Sequence, residues 1–209
     1  MTKVLIINSS ALGEASVSNR LTGELAARLK AADPATAIVV RDIGGDPIPH
    51  LTADTVGAIR GAAETDAART TLALSDRLIE EIDTADILVI GSPMYNFGIS
   101  STLKSWFDHV LRAGRTFRYT DEGVALGLMT GKKAVIVESR AGFYSEGAAG
   151  GMDSQEPHLR TMLGFMGITD IVFVRAEKLA FGPDAASAAI AGAIEELTAL
   201  ADGELALAA

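Results

Sequence analysis

The stretch Ile87-Leu88-Val89-Ile90-Gly91-Ser92-Pro93-Met94-Tyr95-Asn96-Phe97-Gly98 decides how this chain is to be read. Its first four residues form an unbroken aliphatic run, the pattern of a strand buried on both faces, and residues 92–99 break it with polar, aromatic and turn-forming side chains. Behind that loop, Leu103, Trp106 and Phe107 recur at helical spacing. A strand that delivers a loop into a helix is the building unit of open α/β sheets, which bind ligands in the crevice at the carboxyl ends of their strands. Tyr95 and Phe97 flank Asn96, and Gly98 permits close backbone approach. Two aromatic rings beside an amide suit a flat heteroaromatic ligand of the flavin type, or they plug the sheet edge and bind nothing.

Outward from this stretch the same unit recurs. Residues 4–7 are another buried run, followed by polar residues 8–19 and a helical stripe of Leu21, Leu25 and Leu29. Residues 37–40 give a second strand, and residues 44–49, with two glycines and two prolines, are turn chemistry. Residues 53–83 show a helical pattern interrupted around 61–66, residues 101–111 a further helix, and residues 114–131 a long irregular connection. A fourth strand at 133–138, a glycine-rich loop at 139–151, a helix at 159–166, a fifth strand at 171–174 and a closing helix at 183–201 complete the chain. Five buried strands alternating with helices predict a flavodoxin-like, doubly wound, five-stranded parallel sheet of order 2-1-3-4-5, with residues 1–209 as one α/β domain. In that order the first and third strands are neighbours at the switch point. The loops of residues 9–18 and 94–97 then meet over one crevice.

Bulk properties narrow the partners. With 18 basic and 27 acidic side chains in 209 residues, the net charge of −9 opposes an embrace of nucleic acid or of an anionic membrane surface. No apolar run approaches the roughly 20 residues of a membrane helix, and the opening residues lack a secretory pattern, so the expected compartment is the cytoplasm. Cysteine is absent, and His50, His109 and His158 have no metal-ligand spacing, so no metal site is expected. The first strand is not followed by G-x-G-x-x-G, and G-x-S-x-G is absent from the chain, which excludes the dinucleotide fingerprint and the nucleophile elbow. Residues 127–133 only superficially suggest a phosphate loop, and Lys132 and Lys133 read as solvated charges at a strand entrance. Ser9, Ser10, Ser16 and Ser18 cluster ahead of the first helix, where unpaired amides and about half a positive charge favour an anion; Ser16 or Ser18 serves equally well as a plain N-cap.

Pro93-Met94-Tyr95-Asn96-Phe97, Leu103-Lys104-Ser105-Trp106-Phe107-Asp108, Arg112-Ala113-Gly114 and Thr116-Phe117-Arg118-Tyr119 together resemble the signature of bacterial FMN-dependent NADH:azoreductases, which are flavodoxin-like NAD(P)H:quinone oxidoreductases. The likeness runs from Ser9-Ser10 to Gly164-Phe165-Met166-Gly167 and beyond. It implies an enzyme that moves two electrons from NADH through bound FMN to a quinone or an azo compound with ping-pong kinetics. The alternative is a flavodoxin-type electron carrier that binds FMN without turning over a small molecule.

By the same resemblance, Ser10, Ser16, Val17 and Ser18 hold the FMN phosphate, while Met94, Tyr95, Asn96 and Phe97 contact the ring, two of them through the amides of Asn96 and Phe97. Ser139, Arg140, Ala141 and Gly142 line the next part of the rim, with small residues letting amides approach or with Gly142 making only a left-handed turn. The family usually carries glycine where Ala141 stands, which would cost on the order of 1 kcal/mol if the position needed positive φ. Arg140 also has the option of pairing with a carboxylate. Phe117, Tyr119, Phe143, Tyr144 and Phe165 are the candidates to wall the donor and acceptor side, and the acceptor's protons come from water or from Tyr144. The resemblance further implies a homodimer in which some of these aromatic residues face the partner's flavin. Trp106 reads as core or interface.

Overall fold

The computed structural model describes residues 1–61, 63–203 and 205. The chain runs β1 (Lys3–Asn8), α1 (Val17–Ala32), β2 (Ala37–Asp42), α2 (Asp66–Thr84), β3 (Ile87–Pro93), α3 (Ser101–Val110), β4 (Phe117–Tyr119), β5 (Ala125–Gly127), β6 (Lys133–Ser139), α4 (Gln155–Met166), β7 (Asp170–Ala176) and α5 (Pro183–Asp202). Five strands form one parallel sheet in the order β2-β1-β3-β6-β7, which is 2-1-3-4-5 when only sheet strands are numbered. The register sets Lys3 opposite Ala37, Val4 opposite Ile87, Ile87 opposite Lys133 and Lys133 opposite Asp170. Asn8, Asp42, Pro93, Ser139 and Ala176 therefore end their strands along one edge.

Period-two alternation sends successive side chains to opposite faces. Leu5, Ile7, Leu88, Ile90 and Ile136 pack under α2, α3 and α4 with Ile79, Trp106 and Leu163, whereas Val4, Ile6, Val89, Val135 and Val174 pack under α1 and α5 with Leu21, Leu25 and Leu197. Each fully buried aliphatic side chain contributes about 1.5–3 kcal/mol, so the two layers fix the register against any one-residue slip. Trp106 is wholly buried and is core. Ser16, Thr65 and Ser100 cap α1, α2 and α3 by accepting from the amides of Asn19, Ala68 and Leu103.

The structure departs from the sequence expectations in several places. Residues 53–61 form turns and one 3₁₀ turn ending at Gly61 (φ 95°), not helix; Gly57 and Gly61 each cost a helix about 1 kcal/mol, and nothing downstream repays it. The connection 114–131 is not wholly irregular, because β4 and β5 pair antiparallel within it, with Phe117 opposite Gly127. β2 is an edge strand and is not buried on both faces: Val39 and Val40 are 52% and 58% exposed. Lys132 is not a solvated charge, since its ammonium donates to the carbonyls of Asp83 and Ala85 at 2.7 Å and caps the end of α2.

Candidate functional site

Two loops meet where β1 and β3 end side by side. Ser9 is tied to β3 by its hydroxyl, which donates to the Gly91 carbonyl at 2.7 Å, and the Thr102 hydroxyl donates back to the Ser9 carbonyl at 3.3 Å. Across the crevice the Tyr95 phenol oxygen accepts from the amide of Ala11 at 3.1 Å and lies 3.4 Å from Ser10 Oγ. The Ser16 and Ser18 hydroxyls are 3.1 Å apart. Ser10, Ser16 and Ser18 are all buried. Ser16 Oγ accepts from the Asn19 amide, so the capping role and a place beside Ser18 belong to one residue. The amides of Val17 and Ser18, in the first turn of α1, have no intrahelical acceptor, and no acidic residue occupies that turn.

The loop after β3 is a tight hairpin. Tyr95 and Gly98 exchange both backbone hydrogen bonds, at 2.9 and 3.1 Å, while Asn96 (φ 47°) and Phe97 (φ 70°) occupy left-handed backbone. Positive φ at both central residues is the type I′ geometry, adopted here without a glycine at either centre. A bulky residue in that region is strained by about 1–3 kcal/mol. The strain turns the amides of Asn96 and Phe97 away from the hairpin, and neither has an acceptor in the chain among the described residues. Gly98, expected to give close approach, is not at positive φ and has open space where a Cβ would stand.

The third part of the rim follows β6. The carbonyls of Arg140, Ala141 and Gly142 accept from Leu179, Ala180 and Lys178 at 3.2, 3.0 and 2.7 Å, which leaves the amides of Ala141 and Gly142 on the other side without acceptors among the described residues. Neither Ala141 nor Gly142 has positive φ, so the left-handed turn is absent and the anticipated cost of alanine does not arise. The absent side chain at Gly142 has a different use: a Cβ there would come within 2.8 Å of the Tyr144 ring, which lies across this residue. Tyr144 also meets Phe97 edge to face at 6.0 Å.

Beneath the rim sits a buried ionic cluster. The Arg140 guanidinium, with no exposed side-chain surface, lies 2.7 Å from Glu138, 3.0 Å from Asp153 and 3.2 Å from Glu177. Its Nε donates to Gln155 Oε1 at 3.1 Å, so the Arg140 side chain is spent on these partners and its amide on the Ala176 carbonyl. Glu138, with no exposed side-chain surface, faces Arg140 at 2.7 Å and Arg175 at 3.7 Å. Burial pushes the Glu138 carboxyl up to about 8 against the pull of Arg140. Burial pushes Glu177 upward as well, but donation from Ser145, the Tyr144 amide and Arg140 outweighs it and holds that carboxyl below its ordinary range.

Residues 2–201 match the model of the flavodoxin-like fold family. The chain is 47% identical over 201 residues, 96% of each chain, to an FMN-dependent NADH:quinone oxidoreductase from Hyphomonas neptunium. It is 49% identical over 203 residues to another from Azotobacter vinelandii, covering 96% of this chain and 100% of that one. Among solved structures it is similar to an FMN-dependent NADH-azoreductase from Bacillus anthracis in complex with FMN, with a TM-score of 0.88, 25% identity and coverage of 99% and 100%. The chain belongs to the flavodoxin-like family. The crevice presents neutral hydroxyls and first-turn amides at one end and, among the described residues, amides of Asn96, Phe97, Ala141 and Gly142 without acceptors at the other, a donor set that fits FMN.

The five aromatic candidates separate into two groups. Tyr144 stands against Phe97, and Phe143 lies under the Lys178 ammonium at 4.1 Å. Phe117 packs on Phe165 at 4.6 Å and on Tyr119 at 5.6 Å, far from this loop. Gln155, the first residue of α4, bonds Ser92 at the crevice, and Phe165 is ten residues further along that helix, about 15 Å by helical rise. Met94 is held to β6 by its amide, which donates to the Ser139 carbonyl at 2.9 Å. Among the histidines, His109 is buried, with Nε2 2.9 Å from the Pro49 carbonyl. No spacing in the sequence announces that Glu138, Asp153, Gln155 and Glu177 meet. The one signal is Glu138 itself, an acidic residue closing an otherwise aliphatic strand.

Proposed function

We propose that this chain is an FMN-dependent oxidoreductase that takes two electrons from NADH and passes them to quinones, and to azo compounds with cleavage of the azo bond. The observation that carries it is the meeting of the loops: Tyr95 from one reaches Ala11 and Ser10 of the other, so one ligand with a phosphate at one end and a flat ring at the other spans both. FMN, when bound, supplies hydride acceptance and two-electron donation. Ser10, Ser16, Val17 and Ser18 hold the phosphate. The amides of Asn96 and Phe97, and those of Ala141 and Gly142, present donors to the acceptor edge of the ring, where negative charge gathers on reduction. Met94, Tyr95 and Ser139 shape the rest of the cradle, whereas Arg140 acts from beneath it. Phe97 and Tyr144 close one side against water, and the Tyr144 hydroxyl is the candidate proton donor to the acceptor.

Phe117, Tyr119 and Phe165 serve a second copy in this proposal. Tyr119 is 59% exposed, and Val124 at 61% and Leu126 at 43% extend the apolar surface of the same hairpin. A homodimer that buries this hairpin carries its aromatic group to the partner's crevice. The chain works as one domain, in the cytoplasm; among the described residues no helix is long and apolar enough to cross a membrane. The relatives' names favour turnover over the electron-carrier alternative.

The test is an absorption spectrum of the purified protein with added FMN, followed by NADH under anaerobic conditions and then a quinone. Flavin absorbance that bleaches with NADH and returns with quinone is expected, with parallel initial-rate lines when both substrates are varied. A protein that leaves FMN free in solution would overturn the proposal.

A further inference from the structure

The three segments that form the crevice rim, residues 92–97, 139–145 and 153–155, are joined through one buried amide. Gln155 is fully buried. Its Oε1 accepts from Arg140 Nε at 3.1 Å, and its Nε2 donates to the Ser92 carbonyl at 2.7 Å and to Ser92 Oγ at 2.9 Å. Ser92 is the penultimate residue of β3, one position before the strand ends and the chain runs into the Tyr95 hairpin. Next to Gln155, the amide of Ser154 donates to the Phe97 carbonyl at 2.9 Å. Two consecutive residues at the start of α4 thus hold the root and the tip of the hairpin whose Asn96 and Phe97 amides face outward.

The start of α4 is itself fixed. Asp153 accepts from the amides of Gln155 and Glu156 at 2.8 and 3.2 Å and ion-pairs with Arg140 at 3.0 Å. Arg140 reaches Glu177, which accepts from the amides of Tyr144 and Ser145 at 2.8 and 3.1 Å and so anchors the third segment. A side-chain amide offers, in one planar group, an acceptor toward a guanidinium and two N–H donors toward a carbonyl and a hydroxyl. A carboxylate at this position would face the Ser92 carbonyl oxygen with no proton to give, and an apolar side chain would take this partner from Arg140 Nε and Ser92 Oγ in a place water does not reach.

We propose, building on the flavin reading of the crevice, that Gln155 is a positioning residue for cofactor binding: it transmits the fixed place of Arg140 to the Ser92–Phe97 hairpin and so sets the aim of the Asn96 and Phe97 amides. It touches no ligand. Its effect reaches the cofactor through Ser92, and a merely structural role would alter folding stability while leaving the bound flavin unchanged.

Gln155→Met and Gln155→Glu, which keep side-chain length, are compared with wild type by thermal melting of the apoprotein, by FMN titration, and by the midpoint potential of bound FMN. Both variants are expected to melt cooperatively, to bind FMN about tenfold or more weakly, and to hold it at a shifted potential. Wild-type FMN affinity and potential in variants that merely melt earlier would overturn the proposal. Should both variants fail to fold, Ser92→Ala, which deletes one of the two acceptors, takes their place: weaker FMN binding with a shifted potential supports the proposal, and unchanged values overturn it. Wild-type protein that does not bind FMN would overturn the flavin reading together with the proposal. Wild-type binding with unaffected variants would overturn the proposal alone.

Discussion

The phenol oxygen of Tyr95 lies 3.1 Å from the Ala11 amide and 3.4 Å from Ser10 Oγ, so a side chain from the loop after β3 completes the loop after β1. The two ends of the crevice are therefore mechanically one object. Tyr95→Phe removes the junction and nothing else of size. FMN affinity is expected to fall about threefold to tenfold, matching a hydrogen bond of about 0.5–1.5 kcal/mol, while the melting temperature of the apoprotein hardly moves. Titration of the variant with FMN decides it, and an unchanged Kd would remove the junction from the account of binding.

Ser18 and Ser16 separate two roles that share a loop. The Ser18 hydroxyl is buried and, among the described residues, bonded only to that of Ser16, whereas Ser16 also caps α1. Ser18→Ala should weaken FMN several-fold and leave riboflavin, which lacks the phosphate, as it was. Ser16→Ala should do the same and also destabilise the apoprotein by about 0.5–2 kcal/mol through the lost cap. Equal losses for FMN and riboflavin in Ser18→Ala would place the phosphate elsewhere.

Glu138 makes stability depend on pH in a direction opposite to that of most carboxylates. Its pKa rises from 4.5 to about 8 on folding, so between those values the folded chain keeps a proton that the unfolded chain has released. The stabilisation is complete below pH 4.5 and is lost as pH rises through 8, and the melting temperature should fall from pH 6 to pH 9. Each kcal/mol corresponds to roughly 2–4 °C for a chain of this size. Glu138→Gln, which cannot ionise, should flatten that slope in a calorimetric series. Glu156 and Glu177, held low by their donors, act only at the acid end and with the opposite sign.

The β4–β5 hairpin offers a direct test of the proposed homodimer. Val124→Asp combined with Leu126→Asp places charge on two exposed apolar side chains without touching the sheet core. Sedimentation should show the wild type at twice the chain mass and the variant shifted toward one chain. FMN binding should survive while quinone turnover drops, because the partner's Phe117, Tyr119 and Phe165 are withdrawn. A wild type that sediments as a single chain would sink the dimer.

The sheet was legible because its signal is redundant: five aliphatic runs, each bounded by turn residues, leave few ways to pair. The crevice was legible for a related reason, since Ser10 and Tyr95 each stand two residues past strand ends whose positions the sheet dictates, and Ser16 caps the helix that follows the first of them. Helix expected in residues 53–61 failed because apolar spacing there coexists with Gly57 and Gly61, and spacing says nothing of backbone entropy. Arg140 stands beside the predicted rim, yet its side chain turns inward to Glu138 on β6, to Asp153 just ahead of α4, to Gln155 at its start and to Glu177 after β7. Contacts between residues so distant in the chain have no periodicity to betray them. Phe117, Tyr119 and Phe165 do cluster, but at the far end of α4, a distance only the helix rise reveals.

The half-exposed β2 edge bears on how this protein behaves in a tube. Val39 and Val40 stand on a strand with a free flank of amides and carbonyls, the surface on which chains add to one another, while Arg41, paired with Glu81, and Asp42 guard only its last turn of sequence. At neutral pH the surplus of 27 acids over 18 bases keeps molecules apart. Mild acidification strips that mutual repulsion before it unfolds the sheet, so clouding in weakly acidic buffer is expected to come from native molecules joining along this flank.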